Sequence, residues 1–122
     1  MTGIPQGRIK AVDRSDRKLE FARSVGATHT INAQKEDAPQ VVRDISGTGV
    51  DFAFEMAGAI GAVNMTALGG VTTTAGLPPR GKTLPVDVAP LVGQERILQG
   101  SYMGSCAPLR DILRFMSMYL DG

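Results

Sequence analysis

The sequence predicts an α/β protein built on a parallel sheet, and three observations carry that expectation. Short β-type runs alternate with helical ones along the chain. The run Phe52-Ala53-Phe54 is apolar on both sides, as a parallel strand covered by helices on both faces should be. The length of 122 residues is that of one domain, able to bury roughly two-thirds of its unfolded surface.

The elements follow in order. Residues 8–13 alternate as a strand. Ser15 then offers a helix cap, and Leu19, Ala22 and Val25 recur at helical spacing before Gly26 supplies a stop. Residues 28–31 form a short strand. The next helix is capped by Asp37, turns Val41, Val42 and Ile45 inward, and ends at Gly47. Residues 50–55 are a strand, 60–68 a helix of small residues ended by Gly69-Gly70, and 71–75 a threonine-rich strand. Residues 76–81 carry Gly-Leu-Pro-Pro-Arg-Gly and must loop. Leu84 to Val88 reads as a short edge strand, because Pro85 donates no ladder hydrogen bond. Residues 97–101 are a further strand. In the last helix Pro108 occupies the first turn, and Leu109, Ile112, Leu113, Met116 and Leu120 make one apolar stripe.

Composition narrows the function. Thirteen basic against twelve acidic residues give a net charge of +1, which argues against a polybasic nucleic-acid or membrane-surface binder. Aromatic residues are 5% and Trp is absent, too few for a base-stacking platform. One cysteine, Cys106, and one histidine, His29, permit neither an internal disulfide nor a four-ligand Cys/His zinc site. The uncharged stretch 56–79 is interrupted by five glycines and two prolines, so it is not a membrane helix. No secretory signal opens the chain, and a cytoplasmic setting is expected. His29 enters a strand without a serine or carboxylate arrangement that would make it a base. Cys106 precedes a helix, where a thiol pKa can fall, yet nothing else marks it as reactive.

Three sets of residues carry a family resemblance. The first is Ile9-Lys10-Ala11-Val12-Asp13 with Lys18-Leu19-Glu20-Phe21-Ala22-Arg23 and Gly26-Ala27-Thr28-His29-Thr30-Ile31-Asn32-Ala33. The second is Gly49-Val50-Asp51-Phe52-Ala53-Phe54-Glu55 with Ala75-Gly76-Leu77-Pro78-Pro79. The third is Gln99-Gly100-Ser101-Tyr102-Met103-Gly104-Ser105-Cys106 with Arg110-Asp111-Ile112. Together they resemble the NAD-binding domain of zinc-dependent alcohol dehydrogenases in the medium-chain dehydrogenase/reductase family, near the glutathione-dependent formaldehyde and aryl alcohol dehydrogenase branch. The resemblance runs from about residue 8 to the end.

That resemblance implies a partial Rossmann-type, doubly wound parallel sheet occupying residues 1–122 as one truncated dinucleotide-binding domain. The ribose-binding acid normally lies ~20 residues beyond the Gly-rich turn, and Asp13 has only twelve residues before it. The first strand, its phosphate loop and the catalytic zinc domain are therefore expected to be missing, with zinc belonging only to that domain. The implied cofactor is NAD. Asp13 would accept from the adenosine ribose hydroxyls and repel a 2′-phosphate, and Lys18 would reach the same ribose. Met56, Ala57 and Gly58, and Ala75, Gly76 and Leu77, would line the cleft, with Tyr102 and Met103 bordering the nicotinamide. The implied activity is hydride transfer between an alcohol and NAD, with the chain inactive alone. The implied partner is a second copy, paired through the edge strand from Leu84 to Val88. The alternative is a non-catalytic dimerising module using that strand. A receiver-type signalling domain, with Asp13 and Glu55 as its acids, lacks a lysine at a late strand end.

The missing strand poses a folding question. In the order 3-2-1-4-5-6 the first strand is central, and its loss leaves two neighbours with unpaired edges. Three solutions exist: the two neighbours pair directly, which needs them to close up by about 4.8 Å, Met1 to Gly7 supplies a substitute strand, or the open edge pairs with another chain.

Overall fold

The computed structural model describes residues 7–57 and 60–121. Among the described residues five strands and four α-helices follow one another in an α/β order, the fold class expected. Strand β1 (Lys10–Asp13) leads through helix α1 (Asp16–Ser24) to β2 (His29–Asn32), and the two strands pair in parallel, Lys10 beside His29 and Asp13 beside Asn32. Helix α2 (Ala38–Ser46) connects to β3 (Val50–Glu55). A 3-10 turn (Ile60–Met65) then feeds β4 (Thr66–Thr74). Helix α3 (Val88–Gly93), β5 (Ile97–Gly100) and α4 (Pro108–Asp121) complete the chain. Strands β3, β4 and β5 form a second parallel sheet in that order.

Local chemistry accounts for the second helix. The Asp37 carboxylate accepts from the Gln40 amide at 3.2 Å, and Gly47 closes the C-terminus at φ 84°. Its apolar face makes the core: Ile31, Ala38 and Val42 are buried, with Val41, Ile45, Val50 and Met65 packed against them. Helix α2 thus packs on elements of both sheets. At α1, Ser15 stands at the cap position, but its hydroxyl makes no capping bond. The Asp13 carboxylate takes over, accepting from the Ser15 amide at 2.9 Å. Leu19 is buried, whereas Val25 is exposed at the helix end.

Four expectations are corrected. The helix over 60–68 is instead a 3-10 turn followed by strand, because Val50 pairs with Thr66 and draws that end into the sheet. Glycine-rich, β-branched sequence offers little helix propensity to resist this. Between Val50–Thr66 and Phe52–Val71 the register shifts, and Gly69 turns at φ 68° within the shift. Two arginines satisfy the carbonyls left open by the 3-10 turn: Arg43 donates to Asn64 O at 2.9 Å and Arg96 to Val63 O at 3.0 Å.

The edge strand from Leu84 to Val88 does not form within the protomer; residues 82–87 have no regular structure and Val88 opens α3. Pro85 withholds a donor, and the Asp87 carboxylate caps the helix by accepting from the Ala89 amide at 3.2 Å. Thirdly, β3 is not covered on both faces: Phe52 and Phe54, on one face by alternation, are 66% and 69% exposed. The α4 stripe likewise points outward, with Leu109 96% exposed. Finally, direct pairing of β1 with β3, the first of the solutions weighed, is not observed among the described residues. Strand β1 pairs only with β2 and β3 only with β4, so each keeps an open edge among the described residues. Residues 1–6, the candidate substitute strand, lie outside the described residues.

Candidate functional site

Parallel strands align their carboxyl ends, and open α/β sheets bind ligands just beyond them. Four of the five strands deliver a predicted site residue there. Asp13 is the last residue of β1. Its Oδ1 is fixed by the Ser15 amide, and its Oδ2 lies 3.6 Å from the Lys18 ammonium, one turn into α1. The Ser15 amide hydrogen bond, with help from Lys18, holds the carboxyl below its usual range. Asp13 therefore stays ionised, with a side chain 35% exposed and able to accept from two hydroxyls.

Beside it stands a second cluster that the sequence pattern did not reveal. Asn32, at the end of β2, donates to Asp16 Oδ1 at 2.6 Å and accepts from the Gln34 amide at 2.9 Å. Lys35 donates to Asp16 Oδ2 at 2.7 Å. The Lys35 and Asn32 hydrogen bonds lower the Asp16 pKa. These bonds tie the first turn of α1 to the loop after β2, fixing the helix that carries Lys18.

The second sheet supplies the other residues. Met56 and Ala57 follow β3, Ala75, Gly76 and Leu77 follow β4, and Tyr102 and Met103 follow β5. Met56, Leu77, Tyr102 and Met103 are exposed at the strand ends, and Ala75 and Gly76 are half-buried. Gly58 lies outside the described residues. Successive ends are stitched together: Ala75 donates to Glu55 O at 2.9 Å and Ser101 to Thr74 O at 2.9 Å. After Tyr102 the chain holds three consecutive left-handed residues, Met103, Gly104 and Ser105, at φ 50°, 65° and 54°. The Cys106 amide closes that turn on Met103 O at 3.2 Å. Non-glycine residues held there are strained, a feature that gathers at ligand-facing loops.

The structure thus gathers Met56, Ala57, Ala75, Gly76, Leu77, Tyr102 and Met103 on one sheet, and Asp13 with Lys18 on the other. His29 sits at the opposite end of β2, against Thr28. Among the described residues no group of three or more His, Cys, Asp or Glu could hold a metal ion, so a catalytic zinc does not fit the residues present. No helix among them is long and apolar enough to cross a membrane.

The sequence profile described as zinc-binding dehydrogenase matches residues 2–118. The chain belongs to the zinc-binding dehydrogenase family. It resembles alcohol dehydrogenase-like 3 of Arabidopsis thaliana, 31% identical over 94% of this chain and 31% of the relative. It also resembles L-threonine 3-dehydrogenase of Bacillus velezensis, 39% identical over 63% of this chain and 24% of the relative. Among solved structures, benzyl alcohol dehydrogenase of Acinetobacter calcoaceticus superposes with a TM-score of 0.89 at 31% identity, covering 95% of this chain and 33% of that one. A Sinorhizobium meliloti structure of the zinc-binding dehydrogenase type, bound to NADP, superposes with a TM-score of 0.69 at 26% identity, over 78% of this chain and 30% of that one. The chain spans about a third or less of the length of these relatives. Its sheets are those of the family's Rossmann-type, NAD(P)-binding domain.

Proposed function

We propose that this zinc-binding dehydrogenase chain holds the NAD side of an alcohol dehydrogenase site. Asp13 carries the reading. An ionised carboxylate at the carboxyl end of a strand, with one oxygen locked by an amide and the other beside a lysine, suits the paired hydroxyls of the adenosine ribose. The same negative charge disfavours a 2′-phosphate, so NAD is the preferred dinucleotide. Lys18 and the loops after β3, β4 and β5 would hold the remainder. When bound, the nicotinamide accepts or returns a hydride; the chain's own groups bind and orient it. The described residues offer no zinc donor set, and activation of the alcohol is assigned to none of them.

Calorimetric titration of the purified chain with NAD and NADP tests the reading. NAD should bind more tightly than NADP, and Asp13→Ala should weaken NAD about tenfold, the effect of losing a charge-assisted hydrogen bond. Equal binding of the two dinucleotides, or an Asp13→Ala variant that binds NAD as the parent does, would overturn it. Hydride transfer to NAD from an added alcohol by the isolated chain would refute the expectation that catalysis needs residues beyond these.

A further inference from the structure

Glu55 is the last residue of β3 and only 8% exposed, directly after the apolar run Phe52-Ala53-Phe54. Its Oε1 accepts from the Ala57 amide at 2.6 Å, and its Oε2 accepts from the Thr74 hydroxyl at 3.0 Å. Its backbone carbonyl accepts from the Ala75 and Gly76 amides at 2.9 Å and 3.3 Å. One residue therefore grips the loop after β3 with one carboxylate oxygen and the end of β4 with the other. The Thr74 carbonyl in turn accepts from the Ser101 amide, at the start of the third loop. A buried carboxylate is costly to desolvate, and it persists where its oxygens are taken up by donors. Nothing in sheet formation demands an acid here; an apolar residue would satisfy the strand.

We infer that Glu55 is a positioning residue: its carboxylate sets the spacing between the loop at Met56–Ala57 and the loop at Ala75–Leu77, and thereby the half of the dinucleotide those loops face. The inference rests on the cofactor assignment to NAD. It divides the site by sheet. Because Asp13 and Lys18 on the first sheet take the adenosine ribose in that assignment, the loops of the second sheet, which Glu55 spaces, are left the nicotinamide half.

Glu55→Ala removes both grips. Glu55→Gln keeps an oxygen for the Ala57 amide and offers an NH₂ to the Thr74 oxygen, so it restores the span without the charge. Amide hydrogen exchange on the free, ¹⁵N-labelled chain reads the clamp without any ligand. In Glu55→Ala the Ala57, Ala75 and Gly76 amides should exchange about tenfold faster while Val42 in α2 keeps its protection, and Glu55→Gln should return them towards the parent. Unchanged exchange at the three amides, acceleration that includes Val42, or failure of Glu55→Gln to rescue would each overturn the inference.

Titration with NAD and with AMP, followed by chemical shift, then reads the division of the site. Glu55→Ala should weaken NAD about tenfold and leave AMP unchanged. Equal weakening of both would reject a role specific to the nicotinamide half. Should the parent chain bind neither ligand, the cofactor reading falls and the nicotinamide assignment with it, while the exchange data still decide whether Glu55 spaces the loops.

Discussion

Gly47 and Gly49 both have positive φ, 84° and 119°, but their surroundings differ. A Cβ on Gly47 would meet open space, whereas one on Gly49 would lie 2.7 Å from both Ala67 N and Met65 O. Those contacts are backbone, held by the pairing of Val50 with Thr66, and cannot swing aside. Gly47→Ala should therefore cost about 1 kcal/mol, the ordinary penalty at a helix end. Gly49→Ala should cost more than about 3 kcal/mol by adding overlap to the same backbone strain. Urea midpoints of the two variants check the ordering; equal losses would refute it. Asp13, Asp16 and Asp111 make a second prediction. Their carboxyls sit below the ordinary aspartate range, held down chiefly by the Ser15 amide, Lys35 and Arg110 respectively. A depressed folded pKa contributes stability above the unfolded value and loses it as pH falls through the folded one. Thermal stability should therefore be insensitive to these groups from neutrality down to about pH 5 and fall below about pH 4. Asp111→Asn should lower stability at neutral pH and flatten that acid slope. An unaltered slope would place the acid sensitivity elsewhere.

Helices α2 and α4 show what separates an element specified locally from one specified by packing. Each carries an apolar stripe legible in the sequence. Helix α2 buries its stripe on β2, β3 and the 3-10 turn, and is capped at both ends. Helix α4 has a strong first turn, where Asp111 accepts from the Ala107 amide at 2.8 Å and pairs with Arg110 at 2.7 Å. Its Leu109, Leu113, Tyr119 and Leu120 nonetheless face solvent. An isolated helix of this length is marginal in water, since packing supplies most helical stability. Amide exchange in α4 should therefore be at least about tenfold faster than in α2. Matching protection would show that the α4 stripe is covered in solution.

For the molecule as a whole, the Ile31, Ala38 and Val42 cluster spans β2 and α2 and reaches Val50 and Met65 beside the second sheet. Among the described residues the two sheets share no ladder, and this cluster couples them. Ile31, 1% exposed, should cost roughly 2–5 kcal/mol when cut to alanine. Because the core is common to both, unfolding should remain one transition by circular dichroism and tyrosine fluorescence, with Tyr102 and Tyr119 reporting from beyond β5. Separate transitions by the two probes would mean that the sheets fold independently.

Much of this architecture could be read from the chain itself. Periodicity located all five observed strands and helices α1, α2 and α4, because alternation and capping are local. Asp13 and the strand-end loops were legible through family motifs, and their placement at carboxyl ends follows from parallel topology. The 3-10 turn was not legible, since residues 60–68 carry a weak helical pattern that pairing with Val50 overrides. Glu55 was visible as an acid at a strand end, but its two grips join residues that are distant in sequence. The exposed Phe52–Phe54 face and the open edges of β1 and β3 were equally hidden, because apolar residues look the same whether or not a neighbour covers them. Sequence by itself thus determined the five observed strands, helices α1, α2 and α4, and which residues stand at the strand ends. Tertiary structure alone decided which strands meet, which apolar faces are buried and which acid spaces the loops, because each depends on contacts between segments that local pattern does not encode.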